Sequence, residues 1–169
     1  MPRTVAGVAA ALDDLVCFAM YGASHATTQA YRALLRPWGL TYPQYLVLVV
    51  LWRVGECPVR RLEEETGLDS GTLSPLLRRL RDRGLIARRP NPEDARSVLI
   101  ALTPEAEEIR EHMTGVGEEV GRHMGIGEVE ARELISRLRL LTEAMTAVAE
   151  APRPATSAPH TSAAPAAEN

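Results

Sequence analysis

The stretch Leu68–Leu102, LDSGTLSPLLRRLRDRGLIARRPNPEDARSVLIAL, constrains the fold of this chain more than any other. Leu73, Leu76, Leu77 and Leu80 stand at i, i+3, i+4 and i+7, the spacing of one buried helix face. Gly84 follows, where a glycine can take the left-handed conformation that ends a helix. Leu85 to Arg89 and Ser97 to Leu102 read as two short strands. The turn formers Pro90-Asn91-Pro92-Glu93-Asp94-Ala95 separate them. Upstream, Val59 to Leu68 reads as a preceding helix, with Leu62 and Leu68 apolar and Gly67 at the turn. Helix, glycine turn, second helix and β-ribbon make up a winged helix-turn-helix, an arrangement that reads DNA.

Charge points the same way. The chain carries a net charge of −3, yet seven arginines (78, 79, 81, 83, 88, 89 and 96) face only Asp82, Glu93 and Asp94 between residues 78 and 96. That segment is +4, which leaves −7 for the rest. A local basic patch on an acidic protein is an electrostatic footprint for phosphate. The competing interpretation is a solvated arginine face. Lysine is absent, so every basic side chain is a guanidinium suited to bidentate contacts.

At 169 residues and 46% apolar composition, one domain with a core and a tail is expected. No apolar run reaches the length of a membrane span, and the N-terminus lacks a basic-then-apolar leader pattern, so a cytoplasmic protein is expected. Cys17 and Cys57 form no disulfide framework and no CxxC pair. The four histidines are scattered. Neither a metal site nor a cofactor is expected.

The remaining segments read as helices. Ala11 to about Arg36 carries Leu12, Leu15, Val16, Ala19, Ala23, Ala26, Ala30 and Leu34 at helical spacing, ended by Pro37-Trp38-Gly39. Thr41-Tyr42-Pro43-Gln44 opens a nearly all-apolar helix through Trp52. Thr103-Pro104-Glu105 opens another, with Ile109, Met113, Val116, Val120 and Met124 as its stripe. Its glycines weaken it, and a bend or break near Gly125 is expected. A last helix runs from about Glu128 to Glu150, striped by Leu134, Ile135, Leu138, Leu141, Met145 and Val148. The fold class is therefore mainly α with a small β-wing, a winged helix-turn-helix flanked by N- and C-terminal dimerisation helices. The stripes of the flanking helices call for a partner, most simply a second copy. A two-fold dimer reads a pseudo-palindromic double-stranded operator, with half-sites roughly 10 base pairs apart.

On the second helix of the reading unit, Gly71, Pro75, Arg78 and Asp82 lie opposite the leucines, with Ser74 and Arg79 at the shoulders. Arg78 and Arg79 are the leading candidates for base edges or phosphate. Ser70, Thr72 and Ser74 can meet DNA near the helix start. Pro75 removes one helix hydrogen bond and, if the helix survives, points outward. Arg96 at the wing tip suits a narrow minor groove, with Asp94 two residues earlier able to hold its guanidinium. An ordinary turn salt bridge is the competing interpretation of that pair.

All seven aromatic residues lie between Phe18 and Trp52. Cys17 sits early in the first helix beside Phe18 and Tyr21. A helix N-terminus favours a thiolate there, while Asp13 and Asp14 oppose it. A lone helical cysteine is more often an inert apolar residue.

The segments LDDLVCFAMY (12–21), LTYPQYLVLVVLW (40–52), LDSGTLSPLLRRL (68–80) and PEDARSVLIALT (92–103) resemble the MarR family of bacterial winged-helix repressors, and within it the organic hydroperoxide sensors, the OhrR subfamily. The resemblance implies one winged-helix domain over 1–150, with dimerisation helices at 11–37 and 105–150 and a DNA-binding core and wing at 41–102; residues 151–169, rich in alanine, proline and serine, are expected from composition to be a disordered tail. It implies that Cys17 is the peroxide-reactive thiol and that Tyr31 and Tyr42 hydrogen-bond it, the partner subunit contributing to the site. It also implies that Arg96 enters the minor groove. No cysteine follows Cys57, so the one-cysteine type is expected, its sulfenic acid trapped by a low-molecular-weight thiol. The expected function is a repressor that releases its operator when an organic hydroperoxide oxidises Cys17. The alternatives are a MarR-like repressor released by non-covalent binding of a small aromatic ligand, and a thiol peroxidase. The last lacks a resolving partner and has no use for a wing, so no catalytic residue and no enzyme activity are expected.

Overall fold

The hydroxyl of Thr41 accepts the N–H of Gln44, and the Gln44 side chain accepts the N–H of Thr41 at 2.9 Å. This reciprocal cap starts helix α2, Tyr42–Val54, which buries Gln44, Tyr45, Val47, Leu48, Val50 and Leu51 at the centre of the core. The computed structural model describes residues 12–94 and 96–151. Residues 1–10, small and weakly patterned and so expected to fray, lie outside them, as does all but the first residue of the expected tail. The chain divides into two compact units, residues 1–124 and 125–169.

Within the first unit, helix α1 spans Val16–Leu35 and a 3-10 turn spans Leu12–Asp14. The helix therefore starts five residues later than its apolar spacing suggests. Aspartates are poor helix-interior residues, and the pair at 13 and 14 falls in the tight turn instead. A second 3-10 turn, Arg36–Trp38, ends at Gly39 with φ of 60°, and the chain turns into α2. Strand β1 (Cys57–Pro58), helix α3 (Val59–Thr66) and helix α4 (Ser70–Asp82) follow. Asp69 caps α4, accepting the N–H of Thr72 at 2.9 Å. Pro75 lies inside the helix and faces outward.

Helix α4 ends as its glycine predicts. Gly84, at φ of 74°, donates to the Arg81 carbonyl at 2.8 Å, and Leu85 donates to the Leu80 carbonyl at 3.0 Å. These two bonds satisfy carbonyls that the last turn leaves open, and Leu80 and Leu85 are both buried beside them. The amide of Leu85 is spent there, so strand β2 starts one residue later than expected, at Ile86–Pro90. It pairs antiparallel with β3, Val98–Leu102, from Ile86↔Leu102 to Pro90↔Val98. Strand β1 adds to the other side of β3, giving the order β1-β3-β2. Two residues of strand carry no periodicity, so nothing in the sequence marks Cys57-Pro58 as strand.

Helix α5 (Pro104–Met113) begins at the Thr103 cap, and helix α6 spans Val116–His123. The single helix expected across this region is broken at Thr114-Gly115 as well as turned at Gly125, where φ is 67°. Glycine carries the largest entropy cost in a helix, and the Thr114 hydroxyl donates back to the Glu111 carbonyl at 3.0 Å. The indole N–H of Trp52 donates to the Ala106 carbonyl at 3.3 Å, pinning α5 to α2.

The second unit contains helix α7, Glu128–Glu150. Along it, Leu134, Ile135, Leu138, Met145 and Val148 are between 40% and 69% exposed, so its apolar stripe is uncovered in one chain. No helix among the described residues is long and apolar enough to cross a membrane.

Candidate DNA interface and thiol site

On α4 the leucine face is buried, while Ser70, Thr72, Ser74, Arg78 and Arg79 are all exposed. The Thr72 hydroxyl donates to the Asp69 carboxylate at 3.0 Å, so its hydrogen is committed to the cap. The Thr72 main-chain N–H and then its hydroxyl hold the Asp69 carboxyl below the usual range.

The seven arginines divide by partner. Arg81 pairs with Asp82 at 3.0 Å and Arg89 with Glu56 at 3.4 Å. Arg83 donates to the carbonyls of Gly39 and Trp38 at 2.8 and 2.6 Å. Arg78, Arg79, Arg88 and Arg96 have no acidic partner among the described residues. Net charge along the sequence weighed all seven alike, since pairing with Glu56 or with the main chain is set by the fold.

At the wing tip, Asp94 does not hold the Arg96 guanidinium. Its carboxylate accepts the Arg96 main-chain N–H at 2.9 Å, while the Asp94 carbonyl accepts the Ser97 N–H at 3.0 Å. A short acidic side chain mimics a turn of backbone more easily than it reaches a long guanidinium, and both side chains remain exposed. The Asn91 amide donates to the Ser97 hydroxyl at 2.8 Å across the tip.

Cys17 is the second residue of α1, whose cap Leu15 offers no side-chain acceptor, and among the described residues no side chain caps the first-turn N–H groups. The thiol residue is exposed. Tyr21, one turn on, shares its face and is exposed. That i, i+4 spacing was legible in the sequence, though no role was assigned to Tyr21. Tyr31 and Tyr42 come together, stacked with ring centroids 4.1 Å apart, and Tyr45 lies 5.7 Å from Tyr31. Burial pushes all three phenols up, with Tyr42 adding on Tyr31 and Tyr45, so they stay protonated donors at neutral pH. Within one chain Cys17 does not meet this pair. Tyr31 stands fourteen positions after Cys17 on the same helix, about 21 Å along α1.

Cys57 is buried in β1 opposite Ile100. Burial pushes its thiol up, Arg61 opposing and Glu65 adding, which disfavours the thiolate needed for attack. An apolar groove of about 400 Å³ lies between α1 and α6, lined by Ala26, Ala30, Leu34, Val120, His123 and Met124 among others.

Residues 40–98 match the MarR family model. The organic hydroperoxide resistance transcriptional regulator of Bacillus subtilis is 38% identical over 135 residues, covering 79% of this chain and 91% of the relative. The chain belongs to the MarR family. The regulator TtmR of Methylorubrum extorquens is 40% identical over 136 residues, covering 80% of this chain and 70% of that one. Among solved structures, reduced AbfR bound to DNA superposes with a TM-score of 0.67 at 27% identity, over 80% of this chain and 94% of AbfR. As a MarR-family member the protein is a DNA-binding transcriptional regulator, and its sheet β1-β3-β2 with α3 and α4 is the family's winged helix.

Proposed function

We propose that this MarR-family regulator is a homodimeric repressor that senses organic hydroperoxides through Cys17 and then releases its operator. The observation that carries the reading is an exposed cysteine at an open helix N-terminus in a chain whose stacked tyrosine pair lies too far away to serve the same copy. A second copy laid antiparallel brings one chain's Cys17 to the other's Tyr31 and Tyr42. Likeness to the Bacillus subtilis regulator over 91% of its length supports this chemistry.

In the first step the Cys17 sulfur attacks the terminal oxygen of ROOH. The S–O bond forms as the O–O bond breaks, giving Cys17 sulfenic acid and the alcohol ROH. A low-molecular-weight thiol then condenses with the sulfenic acid, forming a mixed disulfide and releasing water. The buried Cys57 stays outside this chemistry. In the reduced dimer, Ser70, Thr72, Ser74, Arg78 and Arg79 of α4 meet the major groove and the phosphates. The wing, its turn held by Asp94, delivers Arg96 to the minor groove.

The deciding experiment is an operator gel shift with and without cumene hydroperoxide, on wild type and Cys17→Ser. The variant should bind operator with unchanged affinity and stay bound at a peroxide dose that releases wild type. Release of the variant at that dose would falsify the role of Cys17, and a repressor released by a non-covalent ligand would respond to that ligand in both proteins.

A further inference from the structure

Arg83 belongs by sequence to the basic patch, but its side chain turns away from it. It stands at the C-cap of α4, and its guanidinium forks onto the carbonyls of Trp38 and Gly39, 2.6 and 2.8 Å away. Those carbonyls close the 3-10 turn between α1 and α2. Carbonyls at a helical end lack intrahelical partners, and a planar guanidinium is the side chain that can take two at once. The neighbouring carboxylate, Asp82, is already paired with Arg81. Gly39 is left-handed, and a Cβ there would lie 3.7 Å from the Arg83 guanidinium.

The corner gripped by Arg83 is short and stiff. Gly39 donates to the Arg36 carbonyl at 3.0 Å, Leu40 donates to the Leu35 carbonyl at 3.4 Å, and the Thr41–Gln44 cap follows at once. Tyr42 is the next residue, stacked on Tyr31. We propose that Arg83 is a positioning strut that ties this corner, and with it the tyrosine pair, to the C-terminal end of the DNA-reading helix. A displacement at Tyr42 then turns α4 instead of being absorbed in the loop. The strut rests on the sensing reading above.

The test uses the full-length chain with Arg83→Ala, Arg83→Lys and, for comparison, Arg78→Ala. Operator affinity is measured against salt, before and after oxidation with cumene hydroperoxide. Arg78→Ala should lower the salt slope by about one unit, as loss of a phosphate contact does. Arg83→Ala should keep the wild-type slope, while the loss of affinity on oxidation shrinks by about fivefold or more, within the range of coupling between neighbouring sites. Arg83→Lys keeps the charge but can hold only one carbonyl, so it should fall between. It also carries the test if the alanine variant melts at the assay temperature. A slope lowered by one unit in Arg83→Ala would make it a phosphate contact. Undiminished release would make it a clamp without coupling, and either result overturns the strut. If wild type itself ignores the peroxide, the sensing reading fails first. Coupling is then read from a Tyr42→Ala/Arg83→Ala cycle on operator affinity, and additive effects overturn it.

Discussion

At the scale of single residues, the tyrosine cluster makes a prediction that needs no DNA. Tyr31, Tyr42 and Tyr45 are all pushed above their ordinary value of 10.0 by burial. The folded protein therefore holds these protons more tightly than the unfolded chain. That stability is fully present below the ordinary value and is lost as pH rises through the folded values. The chain has no lysine and arginine does not titrate in this range, so tyrosine and cysteine dominate the alkaline window. Melting temperature should fall from about pH 9 to about pH 11 in wild type and fall less steeply in a Tyr31→Phe, Tyr42→Phe protein. Equal slopes in the two proteins would assign the loss to other groups. The spacing of Cys17 and Tyr21 was readable directly, whereas the contact of Tyr31 with Tyr42 depends on the corner at Gly39.

At the scale of elements, the wing and the reading helix divide the work by exposure. The β2–β3 ribbon is anchored by buried Ile86 and Ile100, while its tip is polar and held by Asn91, Asp94 and Ser97. Arg96 contributes nothing to that anchor. Arg96→Ala should leave the melting temperature within about a degree or two of wild type, as a surface change does. It should weaken operator binding and lower the salt slope by about one unit. Operator affinity measured at two or more salt concentrations checks this, and an unchanged affinity throughout removes Arg96 from the interface. The stripes of α4 and α7 were legible because each obeys one period over several turns, whereas the nearly all-apolar α2 was marked by its Thr41-Pro43 start. The break at Thr114-Gly115 was not, because a run of glycines says that a helix is weak without saying which peptide gives way.

At the scale of the whole molecule, exposed apolar residues on α1 and α7 and the 21 Å gap ask for the same thing. Val16, Phe18 and Tyr21 are 61%, 42% and 69% exposed on α1, a large apolar area for a lone copy to show to water. A second copy would cover it and complete the thiol site. The arrangement is testable with mixed dimers of a Cys17→Ser chain and a Tyr31→Phe, Tyr42→Phe chain. If the site is built from two copies, such a dimer holds one intact site, with cysteine from one chain and tyrosines from the other. Half of its sites should then oxidise at the wild-type rate, measured by trapping the sulfenic acid and weighing the protein. Were the tyrosines to serve their own chain, no intact site would exist and the one remaining Cys17 would react slowly.

Local chemistry was enough to determine most of the secondary structure of this protein. Helical periodicity marked the buried faces, Thr41, Thr103 and Gly84 marked the ends, and the turn formers after Arg89 marked the wing. Charge along the chain singled out the segment proposed here to meet DNA, because arginines crowd into one short stretch. Tertiary structure alone decided which arginines remain available, since Glu56 and the Trp38 and Gly39 carbonyls lie far away in sequence. It alone added β1 to the sheet, because a two-residue strand exists only through its pairing with β3. It alone stacked Tyr42 on Tyr31 through the corner at Gly39, whereas the distance from Cys17 to Tyr31 follows from their places on one helix.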